Sequence, residues 1–142
     1  MWPREAIMQT IAILPMIDIG LGARNNLRQL TTMILDRTRL ISQLNDRLRE
    51  TFSGGRVMLT RGVQGLPDDE RAQLLRTVRE FDDFNAANDP HGEHDFGRVL
   101  VAGQGYFWKI DYYDVDLQYL SPDPADTTVT TRVMTIMRED EY

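Results

Sequence analysis

Both histidines of the chain, His91 and His94, fall in one nine-residue stretch, DPHGEHDFG (89–97), with Glu93 and Asp95 beside them. Imidazole and carboxylate side chains bind zinc, manganese or iron, and they also pass protons near neutral pH. As a metal site, His91, His94 and Asp95 would supply the first ligands to a divalent zinc or manganese. Asp82, Asp83, Asp111 or Asp114 would complete the shell, but no established spacing such as HExxH is present. As an acid/base hydrolytic centre, His94, Glu93 and Asp95 would act with Asp111 and Lys109 from a neighbouring strand, without any GxSxG nucleophile motif. The third reading needs no ligand and no cofactor. Asp89-Pro90-His91-Gly92 has the residues of a type I turn, which would leave the His91 ring facing solvent. Glu93, His94 and Asp95 would then hydrogen-bond the loop and cap its ends. Strand alternation beyond Gly92 would put Glu93 and Asp95 on one side and His94 with Phe96 on the other.

A second stretch could recognise a partner. In YFWKIDYY (106–113), five residues are aromatic. Alternation separates Tyr106, Trp108, Ile110 and Tyr112 from Phe107, Lys109, Asp111 and Tyr113. The first set suits a core beneath helices. The second, two rings flanking a Lys and an Asp, would meet water and suits a protein–protein contact or a shallow groove. His91, Glu93, His94, Asp95, Phe107, Lys109, Asp111 and Tyr113 are therefore the candidate binding residues.

These residues need elements to position them. Ile34, Ile41, Leu44 and Leu48 recur at near-helical spacing, with Arg37, Arg39, Asp46, Arg47, Arg49 and Glu50 on the remaining positions. This predicts a helix ended by SGG at 53–55, where glycine can take the left-handed cap. RVMLTRG (56–62) reads as a short strand. LPDDERAQLLRTVREFDDF (66–84) reads as a helix with Pro67 at its first position, acids in its first turn and a Leu74, Leu75, Val78, Phe81 stripe. FGRVLVAG (96–103) and GYFWKIDYYD (105–114) form a hairpin turning at about 102–105. Their inward parity is ambiguous, because Phe96 and Leu100 oppose Val99 and Val101, and a bulge near Gly97 would reconcile them. TVTTRVMTIM (128–137) is a final strand and REDEY a solvated tail. The order α-β-α-β-β-β predicts a two-layer α+β domain, with a mostly antiparallel four-stranded sheet and two helices on one face. Residues 1–33, interrupted by Pro3, Pro15, Gly20 and Gly22, read as a poorly defined N-terminal extension with Met33 an alternative start. Residues 34–142 read as the single domain.

Charge narrows the partner. The net charge is −6. Residues 1–81 hold twelve basic and nine acidic side chains, whereas residues 82–142 hold four basic and thirteen acidic. The second part disfavours nucleic acid and anionic membranes. The longest apolar stretch, IAILPMIDIGLG, contains Pro15 and Asp18 and is too short to span a bilayer. The chain has no cysteine, which excludes disulfides and thiolate chemistry and agrees with a cytoplasmic setting.

The blocks LNDRLR, GGRVMLTRGV, FDDFNAANDPHGEHDFG, FWKIDYYD, SPDPAD and TTRVMTIMREDEY occur in that order. The series resembles a largely alphaproteobacterial domain-of-unknown-function family, number 3768, over about residues 38–142. The resemblance implies a bacterial cytosolic protein, often from plasmid-like or integrated mobile DNA, and implies no activity. The combined expectation is a small accessory protein that binds another protein without catalysis. The metal-dependent or acid/base hydrolytic enzyme centred on 89–97 stands as the alternative.

Overall fold

The structure, a computed structural model, describes residues 20–142. The earlier part of the N-terminal extension lies outside the described residues. Helix α1 spans Leu21–Thr51, strand β1 Arg56–Leu59, helix α2 Arg61–Gln64 and helix α3 Asp68–Arg79. Strands β2 (Phe96–Val101), β3 (Gln104–Tyr113) and β4 (Thr131–Arg138) follow, and a 3-10 turn at Glu139–Glu141 closes the chain.

The α+β class and the four strands match the expectation, but the sheet is mixed. Its order is β1-β4-β3-β2, with β1 parallel to β4 and the other two pairings antiparallel. A third helix also appears, because Arg61 and Gly62, the expected end of the first strand, instead open α2, which buries Val63. The last strand had to come back between β1 and β3. Its alternation of Arg132, Met134 and Ile136 with Thr131, Val133 and Thr135 shows why it can sit there: one parity is sealed and the other half-buried.

The three α-helices of the described residues contribute to one core. Ile41 and Leu48 of α1, Val63 of α2, and Leu74 and Val78 of α3 pack with Tyr106, Trp108, Ile110, Met134 and Ile136. The partners across the sheet explain the parity of β2. Val99 faces Tyr106 and Val101 faces Gln104, both inward, while Phe96 and Leu100 point to the other side. The pairing is continuous, so the expected bulge at Gly97 is not formed. Gly97 instead lies opposite Trp108, where a Cβ would fall 2.7 and 2.8 Å from two indole carbons. The missing side chain makes room for the largest buried residue. The hairpin turns through Ala102 and Gly103, both with positive φ, as a tight two-residue hairpin favours.

Several boundaries differ from the sequence reading. Helix α1 begins at Leu21, inside the segment read as irregular. Phe52, not a glycine, takes the left-handed cap at φ 57°, its N–H donating to the Leu48 carbonyl. Pro67 caps α3 from outside with extended backbone rather than occupying its first turn, while Asp68, Asp69 and Glu70 do fill that turn. The tail is anchored: the Glu141 carboxylate accepts from the Thr60 hydroxyl at 2.7 Å and the Gly62 N–H at 3.0 Å. Among the described residues, no helix is long and apolar enough to cross a membrane.

Candidate functional site

The 85–95 loop is built by its own side chains and then fastened to α1. The Gly92 N–H donates to the Asp89 carbonyl at 3.1 Å, which forms the expected Asp-Pro-His-Gly turn. Asp89 Oδ1 then accepts from the N–H groups of Glu93 and His94. His94 adopts φ 55°, a left-handed conformation in which His is more common than most residues. That reversal breaks the predicted alternation. Glu93 and His94 both turn toward α1 and the core, whereas Phe96 goes to the opposite face of the sheet.

His94 is held on three sides. Its ring stacks on Phe84, with centroids 3.9 Å apart and planes 4° off parallel. Its Nδ1 stands 2.9 and 3.0 Å from the two Asp46 oxygens, and its Nε2 lies 3.7 Å from Asp89 Oδ2. Asp46 also accepts from Arg49 at 3.0 Å. Arg49, almost fully buried, reaches the Arg79 carbonyl at 2.9 Å and so places a cation at the negative end of α3. Its guanidinium also lies over the Phe84 and Trp108 rings.

A second chain of buried polar groups runs beside the first. The Tyr112 hydroxyl donates to Glu93 Oε2 at 2.8 Å. Asn45 Nδ2 donates to the Tyr112 oxygen at 2.7 Å and to the Glu93 carbonyl at 2.9 Å. Arg132 Nε donates to Asn45 Oδ1 at 2.9 Å, and Arg132 also bonds the Pro124 carbonyl. Burial pushes the Tyr112 hydroxyl up, helped by the negative charges of Glu93 and Asp95, so it stays a neutral donor. Burial works the other way on Arg132 and pulls it down, opposed by Tyr112 and Glu93. Glu93 and Arg132, both buried, are linked through Tyr112 and Asn45, and every interior bond has an identified partner on another element.

The sequence-derived candidates therefore divide into two groups. Glu93, His94 and Asp95 lie on the helix side. His91 is half-buried, not solvent-facing, and its Nδ1 has no hydrogen-bond partner among the described residues. Phe107, Lys109, Asp111 and Tyr113 lie on the opposite face, as alternation requires. Asp111 forms a 3.1 Å ion pair with Lys109, and that hydrogen bond raises the Lys109 pKa. The acid/base set that joins Asp111 to His94 and Glu93 is thus split by the sheet. Both nitrogens of His94 face carboxylates, and Glu93 is sealed. Among the described residues, no three His, Asp or Glu side chains are placed to hold a metal ion. The arrangement braces a long loop.

Sequence reasoning missed Asn45, Asp46, Arg49 and Arg132. A signal existed for two of them. Asn45 and Arg49 are four apart and share the stripe of Ile41 and Leu48, so they are polar residues on a core-facing helix surface.

The open face carries an aromatic cluster. The Phe107 ring lies 5.2 Å from those of Phe96 and Tyr142. Phe96, Phe107 and Tyr113 are half-buried, and Val133 and Thr135 of β4 continue the surface.

Fold and site together define a small α+β protein with a polar brace inside and a sheet face that no helix of the described residues covers. The chain belongs to the family described as protein of unknown function, DUF3768, which matches residues 59–141. No curated protein and no solved structure gives a significant match. Glu93, Tyr112 and Arg132 lie within the matched segment, whereas Asn45, Asp46 and Arg49 come from α1, ahead of it.

Proposed function

We propose that this protein is a non-catalytic interaction module that binds another protein through the open face of its sheet. The observation that carries the reading is the set of half-exposed rings of Phe96, Phe107 and Tyr113 around the Lys109–Asp111 pair, on the face that no helix of the described residues covers. Aromatic anchors among polar neighbours are the composition of a recognition surface. The acidic second part of the chain favours a basic partner, toward which its surface would imitate the charge of a nucleic acid. An accessory role in mobile DNA agrees with that chemistry and with the resemblance described above. The hydrolytic reading has less support, because its histidine and glutamate are consumed by Asp46, Asp89 and Tyr112.

The test places a photoreactive phenylalanine at Tyr113 and, as a control, at the exposed Gln73 of α3. The expected result is one protein captured at position 113 and not at 73. Once purified, it should bind the wild type and bind Asp111→Lys at least about tenfold more weakly. High salt should weaken the complex as well. Capture at both positions alike, or binding indifferent to Asp111→Lys and to salt, would refute the reading.

A further inference from the structure

Helix α1 is longer than the domain it serves. Its 31 residues extend about 46 Å, yet its buried side chains begin only at Ile41. At Arg37 the helix passes the end of the sheet where β3 stops and β4 starts: Arg37 forms a 2.6 Å ion pair with Asp123, and Asp123 lies in the connection between those strands. Residues 21–36 project past that point. The core-facing stripe continues along them as Leu27, Leu30 and Ile34, spaced three and four apart like the seam of a helix pair. Leu30 is 42% exposed and Met33 beside it 67%, whereas Leu27 and Ile34 are half-buried.

The same end of the molecule carries the 114–126 connection. It is fixed by the Asp114 N–H bond to the Tyr119 carbonyl, and it presents Val115 and Tyr119 to solvent. Its charge is opposite to that of the helix. Residues 21–40 hold four arginines and one aspartate, whereas residues 114–126 hold four aspartates and no basic residue. Arg37 lies on the seam side of α1 and grips Asp123, so the acidic connection stands at the root of the projecting helix on its seam side.

We propose that the projecting halves of α1 from two copies of this chain pair antiparallel about a two-fold axis. Leu27, Leu30 and Ile34 form the seam, and the basic tip of each helix lies against the acidic 114–126 connection of the other copy. An isologous contact requires one patch to be complementary to itself, and this patch carries both signs at opposite ends of one apolar stripe. A parallel pair would stack basic tip on basic tip. An isolated helical stretch of this length is marginal in water, so pairing also stabilises the element that forms it. This surface is separate from the open sheet face and does not depend on its role.

Sedimentation velocity of the full chain over a range of concentrations tests the proposal. The wild type should dimerise. Leu30→Glu and Ile34→Glu should each weaken the dimer about tenfold or more, while Thr32→Glu, exposed on the opposite side of the helix, should leave it intact. Arg28→Glu and Asp116→Arg should each weaken it, and the double charge swap should recover it. Circular dichroism melting confirms that each variant is folded. A wild-type monomer at every concentration, a Thr32→Glu effect equal to that of Leu30→Glu, or a double swap no better than its single variants would overturn the proposal.

Discussion

Asn45→Ala is the perturbation that most directly probes the interior brace. Asn45 is fully buried and makes three bonds to three different elements: to the Tyr112 oxygen of β3, to the Glu93 carbonyl of the loop and from Arg132 of β4. Truncation leaves the Arg132 Nε and the Glu93 carbonyl without these partners in an interior that also holds the Glu93 carboxylate. An orphaned buried polar group costs about 1–3 kcal/mol, and breaking a buried charged network costs about 3–5 kcal/mol in total, because the individual losses do not add. Equilibrium urea unfolding should therefore show a loss of about 3–5 kcal/mol, corresponding to a drop in Tm of roughly 12–20 °C for a domain of this size. Ser42→Ala is the matched control one turn earlier. Its hydroxyl donates only to the Arg39 carbonyl of its own helix, so the change should stay within about 0.5 kcal/mol. Combining Asn45→Ala with Arg132→Met removes both ends of one bond, and the double variant should be more stable than the sum of the two losses predicts by about 1 kcal/mol or more. A loss below about 1 kcal/mol for Asn45→Ala, or strict additivity in the double variant, would refute the reasoning.

Gly97→Ala should destabilise the fold by about 1–3 kcal/mol, because the new methyl meets the buried Trp108 indole; tryptophan emission should shift along with the unfolding midpoint. His94→Ala should cost about 1–2 kcal/mol through loss of the Asp46 bond and the Phe84 stack. Melting of wild type and variant should then be indifferent to chelator and to added zinc or manganese. Glu141 is held below its usual carboxylate range, first by the Arg138 N–H and then by the Thr60 hydroxyl. Its contribution is therefore fully present above the unfolded-state value of about 4.3 and is lost as pH falls through the lower folded value. The Gly62 amide, which donates to Glu141, should report that transition by NMR, and Glu141→Gln should abolish it.

Periodicity was a good guide wherever one face of an element is dry. The alternation of Tyr106, Trp108, Ile110 and Tyr112 against Phe107, Lys109, Asp111 and Tyr113 is reproduced residue by residue, and the Leu74, Val78 stripe does pack into the core. It failed where long-range pairing decides. Nothing local in RVML distinguishes a strand that pairs parallel with residues 133–136 from an antiparallel neighbour. The loop shows the same limit. The Asp-Pro-His-Gly turn is legible because each residue is chosen by its own backbone position. The direction of His94 is not, because its left-handed φ reverses a parity that extended backbone would preserve. Arg49 was read as a surface residue because most helix arginines are. Its burial depends on the Arg79 carbonyl and the Phe84 and Trp108 rings, none of which is near it in sequence.

The central claim is that recognition belongs to the open sheet face while the histidine-bearing loop is structural. Methyl NMR of the protein with its captured partner tests this most directly. Resonances of Val133 and Thr135 on the open face should shift and broaden, while those of Met134 and Ile136 on the helix side, and the His94 ring, should keep their positions. Shifts confined to His94 and the 85–95 loop, with Val133 and Thr135 unmoved, would contradict the account.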